Sequence, residues 1–130
     1  MKLQKPLLIG LAACLLGAPL IARAYEGDWK RGHVYYRMVC TECHKTKPCG
    51  PIAPSARTRA EWAAYLQADK HAKGADSLKT YIGKPYRTSI ASTNKAAAKF
   101  VDVPDQELFE DVSAFLARSA KDGDAPTGCR

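Results

Sequence analysis

Hydrophobic residues recur at helical spacing along several stretches of the chain, and no stretch alternates strictly enough to predict a strand. The clearest pattern follows Pro104, which suits the first turn of a helix. Acidic residues come soon after it, where the helix dipole favours them. The last helix is therefore predicted to begin at Pro104 and to bury one apolar face, made of Leu108, Val112, Phe115 and Leu116.

Capping residues predict where the earlier helices begin. Asp28 is placed to cap a first helix over residues 28–39. Residues 44–55 are rich in Pro, Gly and Lys and are predicted to form a loop. Thr58 and Glu61 form a capping box, which predicts a second helix with apolar residues at helical spacing, namely Trp62, Tyr65 and Leu66.

Helix breakers divide the rest of the chain into short segments. A helix is expected over residues 76–82, stopped by Gly83 and Pro85. Residues 92–100 contain three consecutive alanines and are expected to add a turn or two, whereas residues 121–130 are not expected to be helical. The predicted fold class is all-α, and 130 residues suffice for one compact domain but not for two.

The first 24 residues have the pattern of an export signal. Two lysines give a positive start, residues 7–20 are apolar and uncharged, and Ala22-Arg23-Ala24 has the form of a signal peptidase site. We therefore expect residues 1–24 to be removed and residues 25–130 to form the mature domain in the periplasm.

Two alternatives remain for this leader. As a retained membrane anchor it is short and is broken by Pro and Gly. Residues 11–14, Leu-Ala-Ala-Cys, resemble a lipoprotein cleavage motif, but cleavage before Cys14 would leave apolar residues on the mature chain instead of a polar tether. Ordinary secretion is the favoured interpretation.

The charge of the chain does not indicate nucleic acid binding. The full sequence has a net charge of +7, and removal of Lys2, Lys5 and Arg23 with the leader leaves 17 basic and 13 acidic residues, a net charge of +4. The basic residues are dispersed and form no helical stripe. They suit a solvated surface or docking to an acidic protein partner. No Ser-His-Asp set, carboxylate pair or phosphate-binding glycine loop is evident, so no catalysis beyond redox chemistry is expected.

The most specific motif is Cys40-Thr41-Glu42-Cys43-His44, a Cys-x-x-Cys-His sequence. It is the attachment signature of c-type haem, in which two thiols add to the haem vinyl groups and the adjacent imidazole binds the iron. A zinc site would need two more ligands at finger-like spacing, and a thioredoxin-like pair would need a preceding strand. Neither context is evident. One covalent haem c on Cys40 and Cys43, with His44 as the proximal ligand, is therefore predicted.

These features resemble class I cytochrome c, the small all-α family with one haem. Gly32 and Tyr36 precede Cys40 by eight and four residues, where that family has a small and an aromatic residue. The resemblance implies that the first and last helices cross at Gly32, with Phe115 close to it, and that Gly50-Pro51 orients the axial imidazole. It also implies a helix on the other haem face, carrying Leu78, Tyr81, Ile82 and Pro85.

The chain departs from this family at the sixth iron ligand, which is usually a methionine before the last helix. Met1 leaves with the leader, Met38 is expected to pack beside the motif, and residues 86–103 contain no Met, His or Cys. His33 is expected at the surface. The candidate distal groups that stay open are His71 as a second histidine ligand, a Cys129 thiolate, a neutral Lys95 or Lys99, and an open or water-filled site.

Cys49 and Cys129 remain in the mature chain after haem attachment. In an oxidising compartment such a pair favours a disulfide between the tail and the haem loop. Arg57 and Arg59 suit either haem propionates or solvent. Trp62, Tyr65 and Tyr81 are expected either to contact the haem or to pack in the core.

The predicted function is single-electron transfer between a donor and an acceptor redox protein, with no enzymatic activity of its own. Histidine or thiolate ligation would give a lower potential than methionine ligation. The missing methionine keeps two alternatives open. One is a haem protein that binds NO, CO or O₂, and the other is a haem subunit of a larger membrane or periplasmic redox complex.

Overall fold

The computed structural model describes residues 24–45, 52–71 and 74–128, which form helices and turns with no strand in those ranges. A π-helical segment, Tyr36–Cys40, joins the first two α-helices, and a 3₁₀ turn, Pro54–Ala56, precedes the third. The predicted all-α class is confirmed, and no described helix is long and apolar enough to cross a membrane. The α-helices of the described ranges are α1 Trp29–Tyr35, α2 Thr41–Lys45, α3 Arg59–Ala68, α4 Leu78–Ile82, α5 Lys84–Ile90, α6 Lys95–Phe100 and α7 Asp105–Ser119.

The first helical stretch is longer than the sequence predicts. Asp28 caps it as expected, and its carboxylate accepts hydrogen bonds from the backbone N–H groups of Lys30 and Arg31. The chain then continues through the π-helical segment into α2. The Cys-x-x-Cys-His motif therefore lies on helical backbone, and residues 44 and 45, which were predicted to open the loop, belong to α2. π-Helical turns are often found at functional sites.

Helices α1 and α7 pack together at Gly32. A Cβ atom there would lie under 3.0 Å from backbone atoms of Asp111 and Val112, closer than real side chains come. Only glycine lets the two backbones approach this closely. The nearest partner of Gly32 is thus the Asp111 backbone and not Phe115, whose ring stacks on His33 with centroids 4.8 Å apart.

A buried carboxylate holds the same crossing. Asp111 on α7 is fully buried. It accepts hydrogen bonds from the Tyr25 phenol and the Asp28 backbone N–H, both at 2.6 Å. Arg31 Nε also donates to it, and this hydrogen bond raises the pKa of the Arg31 guanidinium. The partners offset the large cost of burying the Asp111 charge.

Caps and breakers set the remaining helices. In the capping box, the Thr58 hydroxyl accepts from the Glu61 backbone N–H at 3.2 Å, and the Glu61 carboxylate accepts from the Thr58 backbone N–H at 2.7 Å. Gly83 ends α4 as predicted, but Pro85 does not end the helical region, because a new helix begins there. It lies in the first turn of α5, which the sequence did not predict. Asn94 caps α6. The predicted apolar face of α7 is buried, as Leu108, Val112, Phe115 and Leu116.

Candidate haem site

An apolar cleft lies between the π-helical segment and helices α3, α4, α5 and α7. It is open to solvent, and together with that open space its empty volume is about 840 Å³. The wall is mainly aromatic and aliphatic, and it includes Cys40, Trp62, Tyr65, His71, Tyr81 and Tyr86. The cleft therefore offers mainly apolar surface to a ligand.

Cys40 brings the motif to this cleft. Its half-buried side chain lies in the wall, at the last residue of the π-helical segment. Helix α2 begins at the next residue and carries Cys43 and His44, whose backbone is described but whose side chains are not. Because an α-helix turns once in about 3.6 residues, the backbone from Cys40 to His44 spans little more than one turn beside the cleft.

His71 lies in the wall of the same cleft, with its Nδ1 atom buried. Helix α3 ends in a left-handed cap at Asp69, with φ of 51°, and this turn leads the chain to His71. The imidazole packs on the Tyr81 ring, with centroids 5.4 Å apart. A Cβ atom at Gly74 would lie 2.5 Å from His71 Nδ1. The fold therefore places His71 and Cys40, which are 31 positions apart in the sequence, in one cavity.

The other distal candidates among the described residues lie elsewhere. Lys95 and Lys99 are exposed on α6 and do not line the cleft. Met38 is 41% exposed and is also absent from this wall. His33 is half-buried against Phe115 and lines a second, separate cleft.

Three predicted features lie outside the described residues: the Gly50-Pro51 contact, the Cys49–Cys129 disulfide and the Cys129 thiolate. Most of the leader, residues 1–23, also lies outside them. Among the described residues, the Ser55 backbone N–H donates to the Thr127 carbonyl at 3.0 Å, which joins the segment before α3 to the tail. The disulfide stays a prediction.

Backbone carbonyls hold the polar ends of several aromatic side chains around the cleft. Trp62 Nε1 donates to the Pro54 carbonyl at 2.7 Å, and the Tyr36 hydroxyl donates to the Ile52 carbonyl at 2.6 Å. Because the indole N–H and the phenol O–H have these acceptors, the rings can present apolar surface to the cleft. Tyr86 also lines the cleft, although no sequence pattern indicates it. Its position on α5 was hidden because Pro85 was interpreted as a helix stop.

The two arginines considered for propionates have different surroundings. The Arg57 guanidinium lies over the Tyr65 ring at 4.8 Å and near the Trp62 ring at 5.5 Å, beside two residues of the cleft wall. Arg59 is paired with Asp124 of the tail at 2.7 Å. Arg57 is therefore the better placed of the two for a group in the cleft.

Comparisons with known proteins give no match. No family model matches the chain, and no curated protein or solved structure matches it either. Function is therefore inferred from the chain's own residues and their arrangement.

Proposed function

We propose that the chain is an exported c-type cytochrome with a cytochrome c-like fold around one covalent haem. In this proposal Cys40 and Cys43 attach the haem and His44 is the proximal ligand of the iron. The observation that carries it is the position of the Cys40 side chain in the wall of a mainly apolar, aromatic cleft. The Cys-x-x-Cys-His signature and the cavity, two independent features, thus coincide.

The residues of the cleft fit a haem. A porphyrin offers two broad apolar faces, and the aromatic and aliphatic wall supplies matching surface. Thiol groups at Cys40 and Cys43 and an imidazole at His44 are the groups that c-type haem requires. When bound, the haem supplies an iron that is reversibly oxidised and reduced by one electron.

His71 is the proposed distal ligand. It is the described histidine that lines the cleft with Cys40, whereas His33 packs against Phe115 outside it. Axial ligation by two histidines favours a lower potential than methionine ligation and leaves no open position for a gas. The function supported best is therefore electron transfer in the periplasm between two redox proteins.

Reduced spectra with and without CO test this function. The full chain, with its leader, would be produced in a bacterium that attaches haem to Cys-x-x-Cys-His motifs. We expect one haem per chain, a single one-electron transition in a redox titration, and no rapid change of the reduced spectrum on adding CO.

Two histidine variants assign the ligand. His71→Ala is expected to change the reduced spectrum and to admit CO, whereas His33→Ala leaves both unchanged. Rapid CO binding by the unsubstituted protein would favour the gas-binding alternative. A His71→Ala spectrum identical to that of the parent protein would exclude His71 as a ligand.

A further inference from the structure

Arg87 is a buried cation close to the cleft but outside its wall. It lies on α5 next to Tyr86, which lines the cleft, and its side chain is 0% exposed. Buried arginines are rare unless a partner compensates their charge. The charge of this guanidinium must therefore be compensated by its hydrogen-bond and ion-pair partners.

The guanidinium joins α5 to the turn before α7. One terminal nitrogen donates to the Phe100 and Val103 carbonyls, the second of these bonds being 2.8 Å, and the other donates to the Asp105 carboxylate. Its Nε has no hydrogen-bond partner among the described residues. The two carbonyl partners are neutral, so among these three hydrogen-bond partners Asp105 carries the negative charge.

The two charges of this pair are buried to very different extents. The Asp105 side chain is 56% exposed, whereas that of Arg87 is not exposed at all. Water therefore screens the carboxylate much more than the guanidinium. The guanidinium is therefore the less screened of the two charges of this pair.

A chain of contacts links this charge to the cleft. Phe100, whose carbonyl Arg87 holds, packs edge-on against Tyr35 with ring centroids 5.2 Å apart. The Tyr35 phenol donates to the Tyr81 carbonyl at 2.7 Å, and Tyr81 lines the cleft. Burial raises the pKa of Tyr35, Cys40 raises it further, and Arg87 opposes the rise. Tyr35 therefore connects Phe100, which Arg87 holds, to the backbone of Tyr81 in the cleft wall.

We propose that Arg87 is a residue that raises the reduction potential of the haem, and that the negative charge of Asp105 partly cancels this effect. This inference rests on the proposed haem. Because the oxidised iron carries one more positive charge than the reduced iron, a buried cation nearby favours the reduced state and raises the potential. Arg87 is a positioning residue as well, since it fixes the turn before α7.

Two variants that change the local charge in opposite directions separate the electrostatic role of Arg87 from its structural role. Asp105→Asn keeps an oxygen that accepts from Arg87 and from the Lys84 backbone N–H, which now donates at 2.9 Å, but it removes the negative charge. It is expected to make the potential more positive. Arg87→Met removes the cation and is expected to make the potential more negative. Asp102→Asn is the matched control, because the Asp102 side chain is 98% exposed and its charge is screened by water.

Redox titration of the purified holoproteins gives the result. Opposite shifts for the Arg87 and Asp105 variants, each larger than the shift of the Asp102 control, would support the inference. If Arg87→Met does not fold, a positive shift of Asp105→Asn beyond the control supports it alone. A shift of Asp105→Asn that is absent or negative, while haem is bound, would overturn this inference and leave the proposed function intact. A protein without haem would overturn both.

Discussion

At the crossing of α1 and α7 one backbone packs directly on another, whereas in the cleft wall side chains pack on side chains. The crossing depends on Gly32 and on the fully buried Asp111 with its hydrogen-bonded partners. The cleft depends on rings, such as that of Tyr81, that contact one another at 5–6 Å between centroids. A backbone contact cannot yield to an added atom, but a side chain can rotate. We therefore expect stability to be most sensitive at the crossing, and ligand chemistry to be most sensitive in the cleft.

The largest effect is expected for Gly32→Ala. The added methyl group would overlap the Asp111 carbonyl, and since both partners are helical backbone, α1 and α7 must move apart. We expect a loss of about 3 kcal/mol or more in the free energy of unfolding, measured by urea denaturation. Gly128→Ala is the control, because a Cβ atom there meets no atom of the described residues within 4 Å. Equal stabilities of the two variants would show that the crossing is not as tight as described.

A smaller loss is expected for Asp111→Ala. This change leaves Arg31, the Tyr25 phenol and the Asp28 N–H without their shared acceptor, at a cost of about 2–3 kcal/mol. Glu107→Gln, by contrast, removes the charge of a partner of Arg31 whose side chain is 41% exposed. There we expect no more than about 0.5 kcal/mol, as for other exposed pairs. Urea denaturation of both variants tests this. If Glu107→Gln costs as much as Asp111→Ala, burial is not the source of the difference.

Gly74→Ala should have the opposite profile, with little effect on stability and a large effect on the cleft. Its Cβ atom would meet the end of the His71 side chain at 2.5 Å, so the imidazole is expected to move while the helices stay in place. The loss of stability is expected to stay below about 1 kcal/mol. The holoprotein should bind CO as His71→Ala does. An unchanged spectrum without CO binding would contradict the proposed role of His71.

The smallest effect is expected for the pH dependence of stability that Glu61 contributes through the capping box of α3. Hydrogen bonding from Thr58 lowers the pKa of Glu61 below its ordinary value. A carboxyl group with a lowered folded-state pKa stabilises the protein above its unfolded pKa, and this contribution is lost as the pH falls through the folded one. Glu61→Gln keeps a capping-box side chain but has no charge to titrate. The midpoint temperature of thermal unfolding should therefore fall less steeply between pH 7 and pH 3 in this variant than in the parent protein. An equally steep fall in both proteins would contradict a stabilising role for the Glu61 carboxylate.

The contrast between the two regions also explains what the sequence could predict. Gly32, the Thr58–Glu61 capping box and the apolar face of α7 act over short distances or at fixed spacing, so they were found from sequence alone. His71 reaches the same cleft as Cys40 after the left-handed turn at Asp69, which no sequence pattern predicts. Helix α5 was missed because Pro85 suits the first turn of a helix as well as the end of one. The burial of Arg87 was missed for the same reason.

The most direct test of the central claim is the intact mass of the exported protein, purified from a host that attaches c-type haem. We expect the mass of residues 25–130 plus one haem, held through denaturation because the bonds to Cys40 and Cys43 are covalent. The Cys40→Ala, Cys43→Ala double variant should have the mass of the polypeptide alone. An unsubstituted chain without haem, in a host that loads another Cys-x-x-Cys-His protein in parallel, would contradict the account.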